Sequence, residues 1–449
     1  MDVILGLILS TIIFIFSVIN GVDTLIPLST VLLIFFIISL KKGITFKSSI
    51  KNLLNGGKKS LGVLQIFVLI GSIVSLWMIS GTVPSIVYYG INLIHPSLFA
   101  ISAFILSALI SMLLGTSFGT IGTVGISLMV MARAGGGNIY VIAGAILSGA
   151  YLGDRSSPMS SSANLVASIT DTNLYDNIKN MIRTSIIPLT LSCILYLVLS
   201  IINPVDYGSS DILIQLTNNF NINLIVLLPA LIIIVLSLFK VDVKTSMYIS
   251  MSVAAVIAFV IQGETIISIL KTAIFGFSLP VDNSLHHIIK GGGIVSMIKL
   301  VIIVFLSSAL TGIFEGANML SFIDLTLSKI ENRSMLFLTT IIISIISAMV
   351  GCTQVLAVML TNMTLGKTYE RLGFDKTILA LDLENTAIVI APLIPWNVAV
   401  LVPLTTLGVD ARAILFAFYL MFIPILNLIY IYIKSSKLNK TSTFNDEVC

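Results

Sequence analysis

Apolar residues occur along this chain of 449 residues in long runs that are separated by short polar segments. A helix needs about 20 mostly apolar residues to cross the hydrocarbon core of a bilayer. Because the runs are continuous and do not alternate with polar residues, they indicate helices and exclude a transmembrane β-barrel. Spans are predicted at roughly 3–20, 24–40, 60–80, 97–114, 184–203, 224–239, 245–262, 294–314, 334–350 and 411–433.

Two further stretches, about 115–169 and 351–409, are apolar but contain many glycine, proline, serine, threonine and asparagine residues. Irregular backbone is tolerated at membrane depth only where it is buried in protein or lines a watery cavity. Both stretches therefore predict broken or re-entrant helices. The expected fold is an all-α polytopic membrane protein with about 10–12 membrane segments.

The two broken stretches take part in a sequence repeat. Gly81 corresponds to Gly316, and 115–117 corresponds to 351–353, both at a shift of about 235 residues. Counting crossings from the charged loops places the starts of the two units at opposite membrane faces. This pattern predicts an inverted repeat, which is typical of many secondary transporters and has its substrate site where the broken segments meet.

The repeat divides the chain into five predicted parts. They are an N-terminal helical hairpin with a basic cytoplasmic loop, a first repeat, a set of connecting helices, a second and inverted repeat, and a cytoplasmic tail. Their bounds are 1–57, 58–203, 204–290, 291–433 and 434–449.

Composition agrees with this fold and excludes other classes of protein. With 57% hydrophobic and 10% charged residues, the chain has far fewer charges than soluble domains, which average about 25%. The net charge of +4 is small and the basic residues stand in loops, so nucleic acid is not expected as a partner. The three cysteines have no spacing typical of a metal or redox site. We expect no cofactor.

Lysine and arginine residues indicate the orientation, because cytoplasmic loops carry an excess of both. The segment 41–59 contains six lysines, whereas 204–222 contains no basic residue, so the first is predicted inside and the second outside. Both termini are then cytoplasmic. Lys367, Arg371 and Lys376 disagree, since they fall on the predicted outer face. Either that segment dips back toward the cytoplasm, or the count of crossings is off by one there.

Charged residues inside the broken stretches are the first candidates for function, because a charge in a bilayer costs at least about 2.5–3.5 kcal/mol. They are Asp154, Arg155, Asp382 and Glu384. A buried carboxylate binds either a proton or a cation but not both well, which is the physical basis of proton-coupled antiport. Neutral oxygen ligands that suit a hard cation accompany them: Thr116, Ser117, Thr120, Thr123, Ser156, Ser157, Asn164, Asn385, Thr386 and Asn397.

Other interpretations of the charged residues stay open. A salt bridge to Arg155, or the capping of a half-helix, would also explain Asp154. Asp382 and Glu384 are two residues apart, so on a helix they face different directions. Glu384 is favoured as the site residue because Asn385 and a threonine follow it, and Asp382 is then a structural or surface group.

The run G-T-S-F-G-T-I-G-T-V-G (115–125) contains a formal G-x-S-x-G match but does not indicate a hydrolase. That motif needs a preceding strand and later Asp and His partners, whereas an apolar helix precedes this run. Close packing of helices through small residues is a further explanation for its glycines. The chain has no ATP-binding motif, so we expect a transporter that uses an ion gradient, and not an enzyme.

Four segments resemble the NhaC family of Na+/H+ antiporters, within about 58–409 of the chain. They are S-G-T-V-P-S-I-V-Y-Y-G (80–90), G-T-S-F-G-T-I-G-T-V-G (115–125), S-G-A-Y-L-G-D-R-S-S-P-M-S (148–160) and A-P-L-I-P-W-N (391–397). The resemblance implies an inverted-repeat membrane protein that exchanges external H+ for internal Na+, although some relatives exchange organic anions such as malate and lactate. The site residues that it implies are Asp154, Ser157, Asn164, Glu384 and Asn397.

This chain departs from the family at Ser161 and Asn385, where many members have an acidic residue. The loss of two carboxylates alters the charge balance of the site and leaves room for a bulkier substrate. Arg155 could then pair with a substrate carboxylate.

The sequence therefore predicts a Na+/H+ antiporter of the plasma membrane, with alternating access and with Na+ and H+ competing for Asp154 and Glu384. The alternative is a Na+- or H+-coupled exchanger of organic anions or amino acids. The expected partners are Na+ and H+ or a small organic anion, and membrane lipid, with a homodimer as a further possibility.

Overall fold

The computed structural model describes residues 2–20, 22–58, 61–206, 211–239, 241–280, 283, 285–286, 289–317, 319 and 330–446. Within these ranges it describes the backbone alone at 4, 18, 61–64, 211–212 and 435–446. Lys59 of the predicted basic loop and the last residues of the predicted tail, 447–449, lie outside the described residues.

The N-terminal part contains two antiparallel apolar helices, α1 (Asp2–Ile19) and α2 (Leu25–Lys41). The turn between them is tied to a later helix, because Asp23 forms an ion pair of 2.5 Å with Lys299. The predicted basic loop is itself mostly a helix, α3 (Phe46–Lys58). Helices α4 (Leu61–Ile79) and α5 (Thr82–Leu93) follow and form a span that is bent by 68° at its break.

A helical hairpin opens the first broken stretch. It contains α6 (Phe99–Leu114), α7 (Ser117–Thr120), a π-helical turn (Ile121–Gly125) and α8 (Ile126–Ala134). The chain reverses at Gly115, which has a left-handed φ of 64° that glycine adopts without strain. Thr116 then caps the next helix, since its hydroxyl accepts the amide of Gly119.

A broken span follows this hairpin. It contains α9 (Ile139–Ser156) and α10 (Ser161–Thr170), which are separated by residues 157–160. Pro158 cannot continue the first helix, and Ser160 caps the second by accepting the amides of Ser162 and Ala163. The long helix α11 (Leu174–Ile202) then crosses back beside both elements.

The described residues of the connecting region form four α-helices, one 3₁₀ turn (Leu224–Leu227) and one short antiparallel β-ribbon. The helices are α12 (Asp211–Asn219), α13 (Leu228–Leu238), α14 (Val243–Val260) and α15 (Ile266–Phe275), and the strands are β1 (Phe277–Ser278) and β2 (Lys290–Gly291). Helix α16 (Ile294–Gly316) follows and is the first helix of the predicted second repeat, 291–433. A bend of 90° separates α12 from α13, at their described ends.

The second broken stretch has the same order of elements. A hairpin of α17 (Arg333–Gly351) and α18 (Gln354–Arg371) reverses at Cys352, which has a left-handed φ of 52°. The broken span contains α19 (Lys376–Asn385), α20 (Ala387–Ile390), a 3₁₀ turn (Ala391–Leu393) and α21 (Val398–Leu407), and it bends by 50°. The last helix is α22 (Phe418–Asp446).

The two hairpins open toward opposite ends of α11. The first hairpin opens at the carboxyl end of α11, where the amide of Ile101 donates to the hydroxyl of Ser200 and the amide of Asp206 donates to the carbonyl of Gly135. The second opens at its amino end, where Lys376 pairs with Asp171 over 3.1 Å. The inverted repeat itself stays a prediction, and this opposite entry supports it.

The position of Lys376 bears on the basic segment 367–376. Its ion pair with Asp171 brings the end of this segment to the amino end of α11, the helix that also carries Lys179 and Arg183. Helix α18 runs back beside α17. The cytoplasmic position of this segment stays a prediction, with both of its explanations, a return toward the cytoplasm or a count of crossings that is off by one.

The all-α polytopic membrane fold is confirmed. Six described helices are long and apolar enough to cross a membrane, or up to nine spans if each bent pair counts as one. Four shorter apolar helices accompany them: Leu5–Ser17, Leu25–Lys41, Ile266–Phe275 and Phe418–Lys434.

Candidate functional site

Each hairpin apex is hydrogen-bonded to the break of the broken span that follows it. In the first half, the hydroxyl of Ser157 donates to the carbonyl of Met112 over 2.7 Å. In the second half, the side-chain amide of Asn397 donates to the carbonyl of Ala348 over 2.8 Å. These bonds satisfy backbone groups that the breaks leave free, so the irregular backbone is stable while buried.

Asp154 lies on the last turn of α9 and is only 4% exposed. Its carboxylate accepts hydrogen bonds from three serine hydroxyls, at 3.1 Å from Ser117, 2.8 Å from Ser160 and 3.4 Å from Ser162. Since Ser160 caps α10, the carboxylate also lies at the amino end of that helix, where the dipole favours negative charge. Hydrogen bonds of this kind stabilise the ionised form of Asp154.

Arg155 is fully buried and points away from its neighbour Asp154. The guanidinium donates to the hydroxyls of Ser185 and Tyr419, over 2.9 and 3.0 Å, and to the side-chain oxygen of Asn385 over 2.5 Å. Among the described residues, no carboxylate forms an ion pair with it. A salt bridge to Arg155 therefore does not explain Asp154.

Glu384 is fully buried on α19, and it lies within electrostatic range of Arg155 and Asp154. Neither of its carboxylate oxygens has a hydrogen-bond donor among the described residues. An ionised carboxylate without a partner is very unfavourable in a buried site. Glu384 is therefore a buried acidic group of this cluster that no side chain or backbone donor compensates within the described residues.

Asp382, two residues earlier on the same helix, has a different environment. Arg333 donates to one of its oxygens over 2.7 Å and the hydroxyl of Tyr369 donates to the other over 2.6 Å. The ion pair and the hydrogen bond together satisfy this carboxylate. Its surroundings fit the structural role that the sequence offered for it.

The three candidate threonines make local bonds within the first hairpin. Thr116 caps α7, the hydroxyl of Thr120 donates to the carbonyl of Thr116, and that of Thr123 donates to the carbonyl of Gly119. These bonds support the turn and the π-helical segment, which lie beside the serine ligands of Asp154. Ser117, which lies between them in the sequence, contacts the carboxylate of Asp154, whereas the bonds described for the three threonines are to backbone.

The two candidate asparagines at the breaks also bind backbone. Asn164 is exposed and donates to the carbonyls of Pro158 and Ser160, whereas the buried Asn397 caps α21 by accepting the amide of Ala399. The structure therefore brings Asp154, Ser117, Glu384 and Asn385 into the central cluster. Ser157, Asn164 and Asn397 instead donate hydrogen bonds to backbone carbonyls at the breaks and so stabilise them.

Several residues of the cluster were not predicted from the sequence. Ser160 and Ser162 supply two of the three donors to Asp154, and the fully buried Tyr151 donates to the carbonyl of Ala399 on α21. Their proximity to the glycine-rich motif S-G-A-Y-L-G-D-R was the available signal. Ser185 and Tyr419 lie on α11 and α22, far from any motif, and nothing in the sequence marks them.

Two cavities lie toward the two ends of α11, and the one at the amino end reaches the cluster. A cavity of ≈ 410 Å³ at the amino end reaches Asn385 and contains Lys434 and the ion pair of Arg333 with Asp382. A cavity of ≈ 610 Å³ at the carboxyl end contains Arg133 and Lys290. Each cavity is thus lined by at least two basic residues.

Comparison with known proteins gives one family. Residues 1–161 and 149–434 match the Na+/H+ antiporter family. The chain is 30% identical to the malate-2H+/Na+-lactate antiporter of Bacillus subtilis (strain 168), over 90% of this chain and 89% of the relative.

Two other relatives have other substrates in their names. The chain is 29% identical to the Na+/H+ antiporter NhaC of Alkalihalophilus pseudofirmus, over 83% of this chain and 82% of the relative. It is 27% identical to the arginine/ornithine antiporter ArcD of Halobacterium salinarum, over 83% of this chain and 79% of the relative.

Proposed function

This chain belongs to the Na+/H+ antiporter family, and from that premise we propose that it exchanges Na+ for H+ by secondary active transport, with Asp154 and Glu384 as the ion-binding groups. The observation that carries the proposal is Glu384, whose buried carboxylate has no hydrogen-bond donor among the described residues. An ion gradient is the energy source, and no cofactor takes part.

The environments of the two carboxylates give them different roles. Three hydroxyls stabilise the ionised form of Asp154, and their oxygens are hard ligands of the kind that a Na+ ion accepts. Glu384 has no such support, so it binds a proton readily when no cation is near. Asp154 therefore provides the main Na+ ligand, and Glu384 is the main proton carrier.

The exchange follows from competition between the two ions. When Na+ enters the cluster, its positive charge favours release of the proton from Glu384, and when Na+ leaves, the proton returns. Alternating access then comes from movement of one broken span and its hairpin against the other. A bound ion shifts the population between the inward-facing and outward-facing orientations only to the extent that its affinity for the two orientations differs.

Transport in everted vesicles tests this proposal. Respiration acidifies the vesicles, a pH-sensitive dye reports the gradient, and the dye recovers when added Na+ draws protons out. We expect Glu384→Gln and Asp154→Asn to abolish this recovery, because neither amide can exchange a proton for a cation. Unchanged recovery in both variants, at equal protein levels, would exclude these carboxylates as the exchange groups.

Asp410→Asn is the matched control, because it also removes one carboxylate. Arg412 donates hydrogen bonds to Asp410 and holds the pKa of this exposed carboxyl at about 2. The carboxyl therefore stays ionised over the whole working pH range and does not take up a proton. Transport and its pH profile should match those of the wild type.

A second candidate function is the exchange of small organic anions. It is favoured by Arg155, whose guanidinium meets neutral side chains instead of a carboxylate, and by Lys434 in the cavity that reaches Asn385. A substrate carboxylate would supply the missing counter-charge. The name of the Bacillus subtilis relative, a malate-2H+/Na+-lactate antiporter, is in line with this substrate class.

Asn385→Asp distinguishes the two functions. The new carboxylate would pair with Arg155, since the present amide oxygen is 2.5 Å from the guanidinium. If Arg155 binds a substrate anion, malate- or lactate-driven dye recovery should be lost while recovery on Na+ persists. Recovery on malate or lactate that survives the substitution would remove Arg155 from substrate binding.

A further inference from the structure

Helix α3 presents four different surfaces around its axis, three of which bear on what it binds. One side packs against α16, where a Cβ at Gly56 would come within 2.7 Å of the Cα of Gly312. Only glycine permits this approach of the two backbones, so α3 is fixed on the last turns of α16. Ser49, on the same side, is buried and pairs with Ser39 of α2 over 3.0 Å.

The next surface of α3 is apolar and exposed. Phe46, Ile50 and Leu54 follow one another at intervals of four residues, so they form one stripe along the helix. Their exposed fractions are 61%, 37% and 47%. Exposed apolar side chains in a contiguous stripe mark a surface that contacts lipid or another protein.

The third surface is basic. Lys47, Lys51 and Lys58 are exposed, and none forms an ion pair within the described part of the chain. At about 100° per residue, the three lysines fall on a stripe that directly adjoins the apolar one. The order around the helix is therefore protein, apolar residues, lysines and then the polar Ser48 and Asn55.

We propose that α3 is a binding surface for anionic phospholipid, with acyl chains against the apolar stripe and headgroup phosphates on the lysine stripe. The position of the first turns of α3 supports this occupant. They lie beside the end of α2 at Lys41 and the end of α16 at Gly316, where membrane spans give way to headgroups, so Lys47 and Lys51 are at phosphate depth. The helix then runs along α16 as far as Phe305, and Lys58 continues the basic stripe about 16 Å beyond Lys47.

The charges favour anionic lipid over zwitterionic lipid. No acidic residue occurs in α3, so nothing on the helix offsets its lysines. A negatively charged leaflet attracts such a cluster, and a phospholipid offers both the acyl chain and the anion that adjoining apolar and basic stripes require.

Lipid on α3 can act on the transport site through α16. Gly56 and Gly57 contact α16 at Gly312 and Phe305, and Thr311 of the same helix turn donates to the carbonyl of Gly351, over 3.2 Å. Gly351 precedes Cys352, whose carbonyl accepts the first amide of α21. One continuous set of contacts thus joins the lipid surface to the second break.

Thermal unfolding of the purified protein in detergent tests the proposal without relying on transport. Dioleoyl phosphatidylglycerol should raise the melting temperature of the wild type by several degrees more than dioleoyl phosphatidylcholine does. The triple variant Lys47→Gln, Lys51→Gln, Lys58→Gln should lose most of this difference. The matched control is Lys179→Gln, Arg183→Gln, Lys367→Gln, which removes the same charge from the same membrane face and should keep it.

Equal responses to the two lipids in the wild type, or an undiminished difference in the α3 variant, would overturn the proposal and leave the surface for a protein partner. Reconstituted vesicles with increasing phosphatidylglycerol provide the functional readout. Exchange should rise with the anionic fraction in the wild type and stay flat in the α3 variant. Because the melting experiment does not measure ion exchange, a failure of the proposed function would leave its outcome unaffected.

Discussion

The two acidic side chains of α19 differ in what they contribute to stability. Asp382 is satisfied by Arg333 and Tyr369, whereas Glu384 has no donor. We predict that Asp382→Asn lowers the free energy of unfolding by about 1.5–3 kcal/mol, because Arg333 loses its charged partner. Glu384→Gln should cost nothing or stabilise the protein, because it removes a buried ionisable group.

Unfolding of both variants in mixed micelles checks this contrast. The two substitutions are matched, since each replaces a carboxyl by an amide on the same buried helix. Similar losses in both would mean that Glu384 has a partner in the native state. That result would also weaken the case for Glu384 as the exchange group.

Tyr151 and Arg155 attach α9 to both sides of the second break. They are four residues apart and so share a face, from which Tyr151 donates to Ala399 and Arg155 donates to Asn385. We predict that Tyr151→Phe increases amide hydrogen exchange in the first turn of α21, because this turn loses its bond to α9. Exchange in α17 should not change.

Tyr140→Phe is the control for this prediction. Tyr140 lies near the other end of α9 and donates to the exposed Asp410. Its loss should leave exchange in the first turn of α21 unchanged. Equal amide hydrogen exchange in the first turn of α21 in the wild type and in Tyr151→Phe would show that the hydroxyl of Tyr151 does not hold α21 in place.

At the residue scale, the sequence predicts the acidic groups better than their partners. Asp154 and Glu384 stand out because charges are rare in apolar segments. The bond between Arg155 and Asn385 joins positions 230 residues apart, and no local pattern indicates such a contact. The roles of Asn164 and Asn397 were not predictable either, because an asparagine at a break can bind an ion or cap a helix equally well.

At the scale of elements, the hairpin apices carry a further prediction. Gly115 and Cys352 have the same left-handed conformation, but a Cβ at Gly115 would come within 2.6 Å of the Cβ of Met159. We predict that Gly115→Ala costs about 1–2 kcal/mol more than Cys352→Ala, because the backbone at 352 already accommodates a side chain. Melting temperatures of the two variants measure the difference.

The sequence predicted where the two broken stretches lie, but it did not predict helices α3 and α18. Glycine, proline and capping residues mark both broken stretches, because each has a local effect on the backbone. The sequence did not predict that the basic segment 41–59 contains α3, since Gly56 and Gly57 disfavour a helix unless another helix packs against them. Helix α18 was not predicted as an element of its own for a related reason, since polar residues lower its hydropathy.

At the scale of the whole molecule, the path of the chain predicts labelling from two sides. In a cysteine-free background, Asp176→Cys and Glu370→Cys should react with an impermeant maleimide from one face, which we expect to be cytoplasmic. Asn203→Cys and Asp410→Cys should react from the other, because they lie at the opposite end of α11. Labelling of 176 and 370 from different faces would contradict this arrangement of the second hairpin.

The bond from Arg155 to a neutral amide has an electrical consequence. When Asp154 and Glu384 are ionised and one Na+ is bound, their charges cancel against Arg155. Protonation of Glu384 alone once Na+ has left leaves the site neutral, whereas if Asp154 takes up a proton together with Glu384, the site carries a charge of +1. Membrane potential then acts on the proton-loaded half of the cycle, with about 2.3 kcal/mol per 100 mV for a complete crossing. A potassium diffusion potential that is imposed across vesicles with valinomycin should therefore accelerate the proton-loaded half of the transport cycle when its sign favours movement of the positive charge. Asn385→Asp shifts each state by −1 and transfers the sensitivity to the Na+-loaded half, so the side chain at 385 decides which half of the cycle responds to voltage.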